Sequence, residues 1–330
     1  MKLLTFTISA LLLSAASLGA QQPQVQITNK YSMKLEQKAD GSYALLKERN
    51  YVKAGVDLSS IPDLLVPYTH QNDRLTGKLY NKVTTEEYVY KTHEGYELKI
   101  AVDKAISEGP APVMFYCHGG GWARGDFESG RALSKYMAQQ HGITGVRINY
   151  TLAPQQGANV QVSIQDVLDA VEFVRSRAGE LGIDPGRIGF QGSSAGAHLA
   201  ACAALRYGKA KLFVGYSGIY DLTTAAITTR AKDPERIAYF GNLDQAYLKE
   251  ASPLYMIPKK THMAAMLVCG TGDITVEHSQ SEEFAAALKR HKASVELLEY
   301  PNYDHNLTTK NSDKMEEIFF KTADFIAAHL

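Results

Sequence analysis

Five stretches of this chain, residues 113–117, 145–150, 188–190, 212–216 and 263–269, are mostly apolar, the second broken by Arg147 and Asn149. A strand wet on one face alternates polar and apolar residues, whereas a strand covered on both faces does not. Helical periodicity separates most of these runs. The clearest case, 163–181, places Ile164, Val167, Leu168, Val171 and Val174 on one stripe, with Ser163 as its expected N-cap and Asp166 three positions behind. The final pattern, 314–330, aligns Phe319, Ala323, Ile326 and Leu330. Ahead of the buried runs, 87–91 and 96–102 alternate with period two around His93-Glu94-Gly95, the pattern of an antiparallel hairpin. Strands alternating with helices behind an opening hairpin specify an α/β class: a mostly parallel central sheet with helices on both faces.

The ends and the bulk composition set further bounds. Lys2, the apolar run 3–13 and the small residues 14–20 read as a secretory signal peptide cleaved after Ala20. The run falls short of the roughly 20 residues that a bilayer span needs, so no stable membrane insertion is expected. The three cysteines, Cys117, Cys202 and Cys269, are too few for a disulfide scaffold and sit in apolar segments as small hydrophobes. The sequons Asn149-Tyr150-Thr151 and Asn306-Leu307-Thr308 fall where glycans would be awkward, which suits a bacterial periplasmic or secreted protein. Lysine plus arginine and aspartate plus glutamate number 35 each, so no electrostatic footprint for nucleic acid is present. Residues 21–80 read as an N-terminal extension or small cap, and 81–330 as the main domain. Within it, 221–252 is a long interruption between strands, of the kind that often covers a site.

The chemistry-bearing residues fall at the ends of the buried runs. Gly192-Ser193-Ser194-Ala195-Gly196 follows one of them and precedes a helix of small apolar residues. A serine on a sharp strand-to-helix turn needs neighbours nearly free of side chains, and the turn lifts its Oγ above the sheet. The run 113–117 leads directly into His118-Gly119-Gly120-Gly121-Trp122. Consecutive glycines let backbone N–H groups face a site without Cβ obstruction. A phosphate-cradling loop would show a following Lys-Ser/Thr or dinucleotide spacing, and neither is present.

These motifs, together with Tyr150-Thr151-Leu152-Ala153-Pro154 and Leu181-Gly182-Ile183-Asp184-Pro185-Gly186-Arg187-Ile188, resemble the hormone-sensitive-lipase and acetyl-esterase branch of the α/β-hydrolases. The resemblance covers roughly residues 83–330 and keeps the family's motif order. It implies an α/β-hydrolase fold with Ser194 as nucleophile and an oxyanion hole built from the N–H groups of Gly119, Gly120 and Ala195. The acid and base follow in the order serine, acid, histidine: Asp273 in Gly270-Thr271-Gly272-Asp273, and His305 in Tyr303-Asp304-His305-Asn306. Asp304 adjoins His305 and reads as a turn residue, while Asp221 is a distant, structural rival. Trp122 either lines an acyl or leaving-group pocket or packs the loop, and His198 lies one turn into the helix behind Ser194, where it is a second pocket candidate. Ser193 stands where the branch often has aspartate and Ala197 where it often has glycine; neither removes a reacting group, so both bear on specificity.

The expected activity is that of an exported serine esterase acting on short, chiefly acetyl, esters of a small molecule or oligosaccharide, possible natural substrates being plant polysaccharide fragments. No cofactor or metal is expected. The alternatives are an amide-cleaving relative of the arylformamidase or peptidase kind, and a non-catalytic binding protein on the same scaffold.

Overall fold

The computed structural model describes the backbone elements at residues 3–7, 34–37 and 43–46, and then residues 82–224, 231–307 and 315–330. The cleavage position after Ala20, most of 21–80, residues 225–230 and Lys314 lie outside the described residues. The chain divides into two compact units, Met1–Asn81 and Lys82–Leu330. In the first, β1 (Leu3–Thr7), β2 (Lys34–Gln37) and β3 (Tyr43–Leu46) pair in that order as a three-stranded antiparallel sheet. β1 occupies part of the apolar run assigned from sequence to the leader.

The second unit is built on an eight-stranded sheet. In chain order its elements are β4 (Thr85–His93), β5 (Tyr96–Asp103), β6 (Ala111–Cys117), α1 (Arg131–Gln140), β7 (Thr144–Ile148), α2 (Val160–Ser176), α3 (Ala178–Leu181), β8 (Ile183–Ser193) and α4 (Ala195–Tyr207). There follow β9 (Leu212–Tyr216), α5 (Pro234–Tyr239), α6 (Gln245–Glu250), α7 (Pro253–Met256), β10 (Ala264–Gly270), α8 (Ser279–Arg290), β11 (Ser294–Tyr300) and α9 (Met315–His329). The strand order is β11-β10-β9-β8-β6-β7-β5-β4. β4 and β5 form an antiparallel hairpin closed at His93 and Tyr96, where Gly95 takes the positive φ (+87°) that such a tight turn demands. β5 joins β7 antiparallel, and from β7 through β6, β8, β9 and β10 to β11 every pairing is parallel.

Alternation within the buried strands sends successive side chains to opposite faces. Val113, Phe115 and Cys117 of β6 join one core with Phe213, Leu267 and the inner faces of α2, α4 and α8. Met114 and Tyr116 join the other with Val214, Met266, α1 and α9. The sheet is thus covered on both sides, which is why these strands carry no polar alternation, whereas β4 remains half exposed along its length.

The helix expected over 163–181 is two helices, and its cap is a different residue. α2 begins at Val160, and the Asn159 carboxamide oxygen accepts from the Val162 N–H at 3.0 Å. Arg177 leaves helical geometry, and Gly182, left-handed at φ +65°, closes α3. Ser163 is therefore inside the helix, and its hydroxyl meets the Thr151 carbonyl at 2.6 Å and the Tyr239 hydroxyl at 2.8 Å. Asp166 is fully buried: it accepts from the Thr151 N–H at 2.9 Å and pairs with Lys91 at 2.8 Å and His93 at 3.1 Å. These contacts tie α2 to the hairpin and to the loop behind β7.

A second buried pair locks the sheet edge. Arg147 of β7 donates from Nε to Asp103 of β5 at 2.7 Å, and the same carboxylate accepts from Ser134 and Thr85. Both charges are withdrawn from water and satisfied by several hydrogen bonds, the condition under which a buried pair is tolerated.

Candidate active site

The site lies at the carboxyl ends of β6, β8, β10 and β11. In an open parallel sheet, strand ends of this kind gather loops from neighbouring elements. β8 ends at Ser193 and α4 starts at Ala195, leaving Ser194 alone in the turn with φ +54° and ψ −123°. A non-glycine residue in that region stores strain, and here the surroundings dictate it. The Ser194 N–H donates to the Tyr216 carbonyl of β9 at 2.8 Å. A Cβ on Gly192 would stand 2.2 Å from the Gly196 carbonyl oxygen, and a Cβ on Gly196 would stand 2.1 Å from that of Cys117. Only glycine permits the strand, the turn and the helix to approach so closely.

His305 joins the other two groups. One ring nitrogen, Nε2, is 3.0 Å from the Ser194 Oγ; the other, Nδ1, is 2.7 Å from Oδ2 of Asp273. A carboxylate can only accept, so Nδ1 carries the proton and Nε2 presents its lone pair to the serine hydroxyl. Asp273 is buried, and its other oxygen accepts from the N–H groups of Thr275 (2.7 Å) and Val276 (2.9 Å). That cradle fixes the carboxylate and so the plane of the imidazole. The His305 carbonyl is held in turn by the Ser217 hydroxyl at 3.1 Å.

The loop after β6 comes against this group from the other side. A Cβ on Gly119 would stand 2.9 Å from the Ser193 carbonyl oxygen and 3.5 Å from the Ser194 Cβ. Gly120 (φ +116°), Gly121 (+62°) and Trp122 (+59°) are all left-handed. A side chain on Gly120 would strike the Arg124 carbonyl at 2.1 Å. Among the described residues no hydrogen bond is made by the N–H groups of Gly119, Gly120 or Ala195. The loop is braced from behind by His118, whose ring stacks on Tyr150 at 4.3 Å while the Tyr150 hydroxyl donates to the His118 carbonyl at 2.7 Å. Burial pushes the His118 pKa down, which keeps this ring neutral.

Trp122 and His198 are both buried and are partners of each other. The Trp122 Nε1–H donates to His198 Nδ1 at 3.3 Å, and His198 Nε2 donates to the Ala251 carbonyl at 2.8 Å. Trp122 also packs edge-on against Phe240 at 5.1 Å. Burial lowers the His198 pKa to about 4, so the ring is neutral in this arrangement. The pair thereby fastens the glycine loop, the helix behind Ser194 and the 221–252 segment to one another.

The remaining sequence candidates hold other partners. Asp221 accepts from Thr223 and from the Tyr255 hydroxyl. Asp304 accepts from the Asn306 N–H in a local turn. The three cysteines are buried free thiols, and burial pushes each thiol up, Cys269 to about 12. No pattern in the sequence points to Arg236 against Gly121, Phe240 against Trp122 or Ala251 against His198, because the stretch that carries them has mixed polarity and no periodicity.

The chain belongs to the alpha/beta hydrolase fold family, whose model matches residues 114–309. Among curated proteins it is 29% identical over 217 residues to "Probable isoprenylcysteine alpha-carbonyl methylesterase ICME" of Oryza sativa subsp. japonica, an alignment that spans 59% of this chain and 52% of that one. It is 30% identical over 237 residues to Esterase LipQ of Mycobacterium tuberculosis, spanning 66% of this chain and 55% of that one. The chain spans about half the length of the curated relatives it matches. Among solved structures, the native Est2 esterase of Thermogutta terrifontis superposes with a TM-score of 0.62 at 23% identity, covering 73% of this chain and 90% of that chain, a likeness of fold.

Proposed function

We propose that the protein is a serine hydrolase of carboxylic esters acting through an acyl-enzyme. The observation that carries this reading is His305 standing 3.0 Å from the Ser194 Oγ and 2.7 Å from the Asp273 carboxylate. In the first half-reaction the Ser194 Oγ attacks the acyl carbon as its proton passes to His305 Nε2. The carbonyl oxygen becomes an oxyanion facing the N–H groups of Gly119, Gly120 and Ala195. Collapse breaks the bond to the alcohol oxygen, which leaves with the proton from His305. Water then repeats the sequence on the acyl-serine, giving the acid and free Ser194. Asp273 holds the ring orientation and offsets the imidazolium charge.

The finer proposal is export through the leader at residues 1–20 and action on short acyl groups, chiefly acetyl, of small-molecule or plant oligosaccharide esters. Its support is the leader pattern and the branch resemblance. Esterase LipQ is a relative named for ester cleavage, which supports the ester reading. Arylacetamide deacetylase of Bos taurus, 40% identical over 117 residues, is named for an amide, so amides belong in the same assay.

The test is hydrolysis of a chromogenic ester series from acetate to octanoate, with matched anilides, by the wild type and Ser194→Ala. Turnover of the short esters with a loss of about 10⁴-fold or more in the variant is the expected result. An inert wild type, or a variant as active as the wild type, overturns it.

A further inference from the structure

We infer that Arg236 is a specificity residue for esters carrying a carboxylate on the alcohol or the acyl part, bound beside the glycine loop. The inference rests on Ser194 being the nucleophile, and it names the substrate class of that same site.

Arg236 lies on α5, inside the 221–252 segment, and its side chain reaches back to the loop after β6. A Cβ placed on Gly121 would stand 3.4 Å from one terminal guanidinium nitrogen of Arg236 and 3.7 Å from the other. Both ends of the fork therefore face the loop. Gly121 is two residues from Gly119, whose own Cβ position is 3.5 Å from the Ser194 Cβ. The guanidinium therefore lies against the same glycine loop that closes on Ser194, two residues along it from the Gly119 contact.

This cation has no carboxylate partner among the described residues. The acidic neighbours on its own helix and cap, Glu235 and Asp233, do not pair with it; Asp233 instead accepts from the Arg236 backbone N–H at 2.7 Å. The half-buried guanidinium lies 6.0 Å from the centre of the Phe240 ring. Phe240 packs on Trp122, which is fastened to His198, so the platform beneath the arginine is rigid. By contrast, Arg147, Arg175 and Arg187 all have carboxylate partners. An arginine held over an aromatic ring with its fork open matches a planar carboxylate, which accepts two parallel N–H bonds. A neutral ester gains nothing from this group. The chain as a whole carries no net charge, so the preference would be local to the mouth of the site rather than a long-range field.

Two pairs of esters read this directly: 4-acetoxybenzoate against 4-acetoxybenzamide, with the charge on the alcohol side, and monophenyl succinate against phenyl butyrate, with the charge on the acyl side. The quantity measured is the ratio of kcat/KM for the charged over the neutral ester, in the wild type, Arg236→Gln and Arg236→Lys. In at least one pair, Arg236→Gln lowers that ratio about tenfold, and Arg236→Lys retains part of it because the charge remains while the fork is lost. A purely structural role for Arg236 would change both members of a pair alike and leave both ratios where they were, which overturns the proposal. Calorimetry with 4-hydroxybenzoate and 4-hydroxybenzamide needs no turnover. Arg236-dependent preference for the acid in a protein that cleaves no ester would sustain the carboxylate site while the nucleophile assignment fails. Equal binding of acid and amide by both proteins, with no ratio moved, defeats the carboxylate site.

Discussion

At the scale of single residues, the site depends on a few atoms whose protonation is fixed by their partners. Asp273 spends one oxygen on two backbone N–H groups and the other on His305. Asp273→Asn keeps the shape but offers the imidazole an amide, so the ring adopts the wrong tautomer. Such a change is expected to lower kcat by roughly 10³–10⁴-fold with little effect on KM, as steady-state kinetics would show. His198 gives a prediction of a different kind. Its pKa in the folded chain is about 4, lowered from 6.5 by burial. Between those values the unfolded chain binds a proton that the folded chain refuses, so stability falls as pH drops from about 6.5 and levels off near 4. The loss over that window is about 3 kcal/mol. Urea unfolding at pH 7 and pH 4.5 should show it in the wild type and show it much reduced in His198→Gln, whose amide can still accept from Trp122 and donate to Ala251.

At the scale of elements, glycines decide where strand, turn and helix can meet. Gly196→Ala would press a methyl group to 2.1 Å from the Cys117 carbonyl oxygen and 2.4 Å from that of His118, both backbone atoms with little room to move. A destabilisation of about 3 kcal/mol or more is expected, read from the denaturant midpoint. Gly179, in α3, is the contrasting case: it is exposed, and a Cβ there meets nothing within 4 Å. Gly179→Ala should stabilise the protein by about 0.5–1 kcal/mol through helix propensity alone. Both residues are glycines within or beside helices, and sequence alone does not separate them. What separates them is the backbone at the end of β6, which crowds Gly196 and is absent beside Gly179.

At the scale of the whole second unit, the parallel sheet sets the site by gathering the ends of four strands separated widely in sequence. Its antiparallel edge is held by the buried Asp103–Arg147 pair, which joins β5 to β7 beneath α1. Removing one partner leaves the other charge without compensation. Arg147→Met is therefore expected to cost about 3–5 kcal/mol in chemical denaturation, well above the effect of removing the exposed Arg175–Glu172 pair on α2.

Much of this was legible beforehand, because it is written in local pattern. Apolar runs without alternation require a doubly covered sheet, and the two faces of β6 show that cover. Ser194 stands out because it follows such a run in a turn of small residues, whose glycines have no role except in a crowded turn, while Asp273 and His305 are assigned through the motif order of the family resemblance, each in the turn after an expected strand. Local pattern also misled at α2: Ser163 is a good N-cap by type, but Asn159 caps the helix and leaves Ser163 to bind Thr151 and Tyr239. The hydrogen bonds that unite the three site residues, the Trp122–His198–Ala251 chain and the approach of Arg236 to Gly121 belong to the tertiary structure alone. Those contacts cross from 32 to 115 residues of sequence. No periodicity records them, since a chain's pattern encodes which face of an element is buried and not which distant side chain will be found there.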